Sequence, residues 1–221
     1  MNIANGGIVS FDSSLTTGGS QTIGGNASFN LNDPGARLAV DGTGSTTLGA
    51  GIAVRGQGNF GQAINIGGDH TLTLNGLVSA DVGGGTLNIV TPGNGSGSGF
   101  INNGTLHAVN GGTLLLSTNI ASNAGSQIVA GAGSFVVQNG VTLNGVINVS
   151  GTGSFQAISS GNNVVNGVNF SGARDATSIA YSRERFINGA TVAPKLMAGL
   201  LTSGLAWLMT LPTASRVLAT P

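Results

Sequence analysis

The chain has 221 residues, seven basic and seven acidic residues that cancel, 40 Gly and no Cys. Gly, Asn, Ser and Thr make up 106 residues and charged residues only 6%, against about 25% in an ordinary globular domain, which excludes the usual composition of a soluble enzyme. At 40% hydrophobic with zero net charge the chain is not a disordered segment, and five Pro without a strict Gly-X-Y period exclude collagen.

Residues 1–7, Met-Asn-Ile-Ala-Asn-Gly-Gly, carry no basic run and no apolar stretch, so no secretory signal is expected there. The neutral total conceals two unlike parts. Residues 1–170 hold Asp12, Asp33, Asp41, Asp69 and Asp81 against Arg37 and Arg55, a net of −3. Residues 171–221 hold five bases against Asp175 and Glu184, a net of +3, and the 92 residues between Asp81 and Arg174 carry no charge. Two bases over 170 residues cannot track a phosphate backbone, so nucleic acid is set aside as a partner. Without Cys there are no disulfides, thiolate metal sites or cysteine nucleophiles.

Within 1–172, which we read as one repeat region, a short unit recurs: Gly, then Thr or Ser, then Leu or Phe, opening an alternating strand. It occurs at Gly85-Thr86-Leu87, Gly104-Thr105-Leu106, Gly112-Thr113-Leu114, Gly133-Ser134-Phe135 and Gly153-Ser154-Phe155. A step of about 20 residues dominates, with one extra strand inserted within a repeat. The period of two puts Leu72/Leu74, Leu87/Ile89, Leu106/Ala108, Leu114/Leu116, Phe135/Val137, Ile147/Val149 and Phe155/Ala157 on one face, with Thr, Asn, Gln and Ser on the other. Asn-Gly pairs such as Asn139-Gly140, Asn144-Gly145 and Asn166-Gly167 supply the turns. This pattern predicts an all-β parallel β-solenoid, in which each turn buries its apolar face only by stacking on the next. A β-sandwich also uses short strands, but has no reason to reuse one strand opening at a fixed interval. Roughly eight turns and a rod of roughly 40 Å are expected at the 4.7–4.9 Å spacing of neighbouring strands.

The stretches 100–116, Phe-Ile-Asn-Asn-Gly-Thr-Leu-His-Ala-Val-Asn-Gly-Gly-Thr-Leu-Leu-Leu, and 139–150, Asn-Gly-Val-Thr-Leu-Asn-Gly-Val-Ile-Asn-Val-Ser, resemble passenger regions of bacterial autotransporters and filamentous-haemagglutinin-type adhesins. The resemblance covers about residues 20–172 and rests on repeat style. It implies a right-handed parallel β-helix, a secreted or cell-surface location, and contacts with host surfaces or carbohydrate. It carries over no functional residues. The chain lacks an export signal and a membrane barrel, so a fragment of a larger exoprotein is expected.

Residues 173–221 read as a charged linker followed by an apolar tail. Leu196, Met197, Leu200, Leu201, Leu205, Leu208 and Met209 fall at helical spacing, and Lys195 and Arg216 bracket 20 uncharged residues. Three readings stay open for the helix predicted over 196–211: a cap on the open end of the solenoid, a membrane contact, or a tail with no role in this fold.

Chemical motifs are few. Gly56-Gln-Gly-Asn-Phe-Gly61 matches G-x-G-x-x-G, but the dinucleotide site needs a helix after the third Gly, and residues 62–67 are expected to form a strand. His70 and His107, the two histidines, are expected to be solvated, with His107 pointing away from the core. The enzymatic alternative, a polysaccharide lyase or hydrolase, needs paired carboxylates, and Asp33 with Asp41 or Asp69 with Asp81 could meet on adjacent turns. A phage fibre segment is a third reading. No residue is assigned a catalytic, cofactor-binding or metal-binding role and no cofactor is expected; the leading expectation is a noncatalytic adhesin-like structural protein.

Overall fold

A computed structural model describes residues 1–4, 6–12, 19–150, 152–158, 163–170 and 185–187. The helix expected over 196–211 lies outside them. Nineteen strands follow in order: β1 (Asn2–Ile3), β2 (Ile8–Asp12), β3 (Ser20–Ile23), β4 (Ala27–Asp41), β5 (Gly44–Leu48), β6 (Ile52–Gly61), β7 (His70–Leu74), β8 (Leu77–Ala80), β9 (Thr86–Val90), β10 (Gly99–Asn102), β11 (Thr105–Ala108), β12 (Thr113–Ser117), β13 (Ile120–Ser122), β14 (Gln127–Ala130), β15 (Phe135–Asn139), β16 (Thr142–Ser150), β17 (Ser154–Ile158), β18 (Val164–Phe170) and β19 (Arg185–Ile187). Every strand pairing among the described residues is parallel.

The pairings resolve into three stacks. The first runs β3, β5, β7, β10, β13, the start of β16, β18 and β19. The second runs β1, the start of β4, the start of β6, β8, β11, β14 and the ends of β16 and β18. The third runs β2, the ends of β4 and β6, β9, β12, β15 and β17. The fold is therefore an all-β parallel solenoid of about six turns with three strands to a turn, and the described residues contain no helix. Six turns rather than eight follow from longer rungs: the bonded asparagines Asn75, Asn103 and Asn123 are 28 and 20 residues apart. The stacked height is correspondingly roughly 30 Å.

Inside, register places like on like. Leu87, Leu114 and Val136 stack in the third sheet, as do Leu38, Phe60, Ile89 and Leu116, all fully buried. Val54, Val78, Leu106 and Ile128 form the equivalent row of the second. Leu72, Phe100, Ile120 and Leu143 form that of the first. Each buried Leu or Phe contributes about 1.5–3 kcal/mol relative to an exposed one. Phe60 and Phe100 meet edge to face at 6.2 Å across the interior, joining the third stack to the first.

One face differs from the sequence expectation. The unit at Gly133-Ser134-Phe135 is shifted by one residue, because Thr113 pairs with Phe135 and not with Ser134. A one-residue slip exchanges the faces, so Phe135 is exposed, while Val136 and Gln138 point inward. Ser134 is buried at the corner, its Oγ accepting the Gly111 N–H at 3.0 Å. The side chains of Ile147 and Val149 lie outside the described ones.

Residues 62–67, expected as a strand, form a loop, and only Gly68 just after them makes an isolated bridge. The cause is Asp41. Its Oδ1 accepts the N–H groups of Ile64, Asn65 and Ile66 at 2.7, 3.0 and 3.2 Å, which takes those donors out of any ladder and leaves Ile64 and Ile66 exposed.

Candidate functional site

The carboxylates that sequence reasoning paired do not meet; each ties its own turn to the next or the one before. Asp33 accepts Gly6 N–H with both oxygens at 3.2 and 3.3 Å and Gly35 N–H at 2.8 Å, pinning the bulge that turns β4 from the second stack to the third. Asp41 also accepts from Asn65 Nδ2 at 3.3 Å and from Ser10 Oγ. Burial pushes the Asp41 pKa up, but the Ser10 hydroxyl and the N–H groups of Asn65, Ile64 and Ile66 outweigh it and hold it below 3.8. Asp69 accepts Gly97 N–H at 2.8 Å. Asp81 pairs with Arg55 at 3.1 Å, 26 residues and one turn away.

His70 corrects the expectation of a solvated histidine. It is 1% exposed, its Nδ1 lies 3.1 Å from the Gly42 carbonyl and its Nε2 lies 3.0 Å from Thr46 Oγ1. The carbonyl can only accept, so Nδ1 carries the proton and Nε2 receives the Thr46 hydroxyl. Thr46 Oγ1 in turn accepts from Gln21 Nε2 at 3.0 Å, giving a polar chain through three rungs of the first stack. Burial lowers the His70 pKa from 6.5, with the Gly42 bond acting in the opposite sense.

The Gly56-x-Gly-x-x-Gly61 motif serves packing. All three glycines lie in β6 with φ of 107°, 121° and 109°. A Cβ on Gly56 would sit 2.0 Å from the Leu31 carbonyl oxygen, and on Gly58 2.3 Å from that of Ala36. The motif lets β6 turn a corner against β4 without breaking, and a loop, not a helix, follows it.

What the fold does assemble is an outward column on the second stack that local sequence does not reveal. Asn2, Asn30, Arg55, Ser79, His107 and Val129 are successive register partners. Asn30 Nδ2 donates to Asn2 Oδ1 at 2.9 Å, continuing the column to the first rung. Arg55 is exposed and reaches Asp81; His107 is half-buried and on the outside, as expected. Burial lowers the His107 pKa first, Arg55 lowers it further, and Asp81 opposes both, so the ring is neutral at pH 7. Ser79, between Arg55 and His107, is fully buried with no hydrogen-bond partner for its Oγ. The signal for this cluster was periodicity alone: Arg55, Asp81 and His107 are each about one turn apart.

Other outward rows are amide and hydroxyl ladders. Asn123 Nδ2 donates to Asn103 Oδ1 at 2.6 Å and Asn103 Nδ2 to Asn75 Oδ1 at 2.8 Å; Asn166 Nδ2 donates to Asn144 Oδ1 at 2.7 Å. Ser20, Ser45 and Thr71 align beside Thr22, Thr47 and Thr73 on the first stack. Among the described residues no group of three or more His, Asp or Glu could hold a metal ion, and no helix is long and apolar enough to cross a membrane. The fold defines the chain as a parallel β-solenoid repeat protein. Compared with known proteins, it matches no family model, no curated sequence and no solved structure.

Proposed function

We propose that the chain is a noncatalytic, adhesin-like structural protein, secreted or held at a bacterial cell surface, that works as a rigid rod presenting polar faces to a host surface or to carbohydrate. The observation that carries this reading is the engagement of Asp33, Asp41, Asp69 and Asp81 in clamping adjacent turns, which leaves neither Asp33 with Asp41 nor Asp69 with Asp81 as a pair poised for general acid and base work. The repeats at 100–116 and 139–150, which resemble autotransporter and haemagglutinin passengers, support the location. Rows of Asn, Ser and Thr repeated once per rung suit weak contacts that gain strength by repetition.

The test is to incubate the purified chain with a panel of neutral and acidic polysaccharides, and in parallel to measure retention of chain-coated beads on cell monolayers. The reading expects retention without release of reducing ends. Release that disappears when Asp33, Asp41, Asp69 and Asp81 are all changed to Asn, in a variant whose circular dichroism spectrum is still that of the folded chain, would establish a polysaccharide-degrading enzyme and overturn it.

A further inference from the structure

Five buried polar atoms among the described residues lack a partner: Ser79 Oγ, Asn88 Oδ1, Asn102 Nδ2, Ser122 Oγ and Asn166 Oδ1. Three have a local explanation. Asn88 and Asn166 end ladders in which their other amide atom is bonded, and Asn102 Oδ1 accepts Gly104 N–H at 3.1 Å. Ser122 is the register neighbour of Asn102 inside the first stack, so those two share one interior position. Ser79 stands apart. It lies on the outward side of the second stack, in one column with Arg55 and His107, and beside the Arg55–Asp81 pair.

We infer that this face, centred on Ser79 and framed by Arg55, Asp81 and His107, is a binding site for a neutral glycan segment with vicinal hydroxyls. A buried hydroxyl without a partner is destabilising, and a ligand hydroxyl reaching it would remove that cost. The charged groups facing the site are Arg55 and Asp81, which cancel, and His107, which is neutral at pH 7. An Arg and a carboxylate side by side offer donors next to acceptors, the pattern two adjacent sugar hydroxyls require; a site for an anionic sugar would instead carry net positive charge. Thr105 and Gln127, register partners in the adjacent outward column, extend the polar surface along the rod axis. Because Ser79 Oγ is buried, the ligand reaches it as the flanking Arg55 or His107 side chain swings aside. The inference rests on the rod acting as a contact surface, and names where one contact is made.

Proton NMR separates the outcomes, since the chain has two histidines, one on this face and one in the core. Cellohexaose and mannohexaose serve as neutral probes and hexagalacturonate as the anionic one. Titration with a neutral hexaose is expected to move the His107 imidazole resonances and leave those of His70 in place. Ser79→Ala is expected to weaken binding at least tenfold while thermal stability is unchanged or raised, because it removes an orphan hydroxyl. Asp81→Asn and Arg55→Met are each expected to weaken it at least tenfold, and Thr73→Ala on the first stack is expected to leave it unchanged. Failure of both neutral hexaoses to move His107, tighter binding of hexagalacturonate, or unaltered affinity in Ser79→Ala overturns the site. The bead-retention assay judges the adhesive reading separately.

Discussion

Replacing Asp41 tests whether side-chain clamps between turns, and not only the apolar interior, hold the solenoid together. In Asp41→Ala the N–H groups of Ile64, Asn65 and Ile66, Asn65 Nδ2 and Ser10 Oγ all lose one acceptor. A hydrogen bond to a charged group is worth about 1.5–3 kcal/mol, and water reaching the exposed side of the loop replaces part of the loss, so a net cost of about 3–5 kcal/mol is expected. For a chain of this size each kcal/mol lowers Tm by about 2–4 °C, which makes the drop about 10 °C. Asp41→Asn keeps one acceptor oxygen but turns a donor toward Asn65 Nδ2, and about 1–2 kcal/mol is expected. Urea denaturation gives both values, and hydrogen exchange at Ile64, Asn65 and Ile66 shows whether the loop is released first. The carboxyl pKa is lower folded than unfolded, so as pH falls the unfolded chain takes up the proton first. Its stabilisation is complete above 3.8 and is lost as pH falls through the depressed value; Asp41→Asn removes that part of the acid response. Asp41→Ala within about 0.5 kcal/mol of wild type, or unchanged exchange at the three amides, would refute the clamp.

Leu114→Ala, at a fully buried rung between Leu87 and Val136, is expected to cost about 2–5 kcal/mol in urea denaturation, whereas Leu115→Ala, on the outer face, costs under about 1 kcal/mol. Gly56→Ala forces a Cβ to 2.0 Å from the Leu31 carbonyl oxygen at a φ of +107°, and a loss of more than about 2 kcal/mol is expected; a silent substitution would disprove the close corner packing. His70 has a lowered pKa, so the unfolded chain gains a proton first as pH drops below 6.5. Urea midpoints are therefore expected to fall between pH 6.5 and the depressed folded value, and a His70→Gln variant is expected to lose that slope.

The interior was readable from the sequence wherever strict alternation met a Gly-Thr-Leu opening. Leu87/Ile89, Leu106/Ala108 and Leu114/Leu116 all point inward as the period of two requires, and Leu72/Leu74 do so behind His70-Thr71. It failed at Phe135, although the same Gly-Ser-Phe triplet places Phe155 inward, because the stack takes Ser134 as a corner residue and pairs Phe135 with Thr113 and Ser154. It failed again at 62–67, where Ala-Ile-Asn-Ile alternates like a strand but Asp41, 23 residues earlier, takes the N–H groups a strand would need. The extra strand within one repeat has a plain reason: Thr105 belongs to the second stack, while Thr86, Thr113 and Ser154 belong to the third. The outward cluster left only a faint periodicity in the sequence, for a related reason. Arg55, Ser79 and His107 become neighbours only once the lengths of two successive rungs, 24 and 28 residues, are known, and unequal rungs cannot be read from an average repeat.

Because the chain has no cysteine, its register can be probed by pairs of introduced ones. Neighbouring strands lie about 4.8 Å apart, within the Cα separations of 4.4–6.8 Å that a disulfide spans. Under mild oxidation the solenoid described above predicts efficient cross-linking in Thr86→Cys/Thr113→Cys and in Thr113→Cys/Phe135→Cys, and little in Thr113→Cys/Ser134→Cys. Cross-linking of the Ser134 pair in preference to the Phe135 pair, or of none of them in the folded chain, would contradict the three-stack register on which the whole account stands.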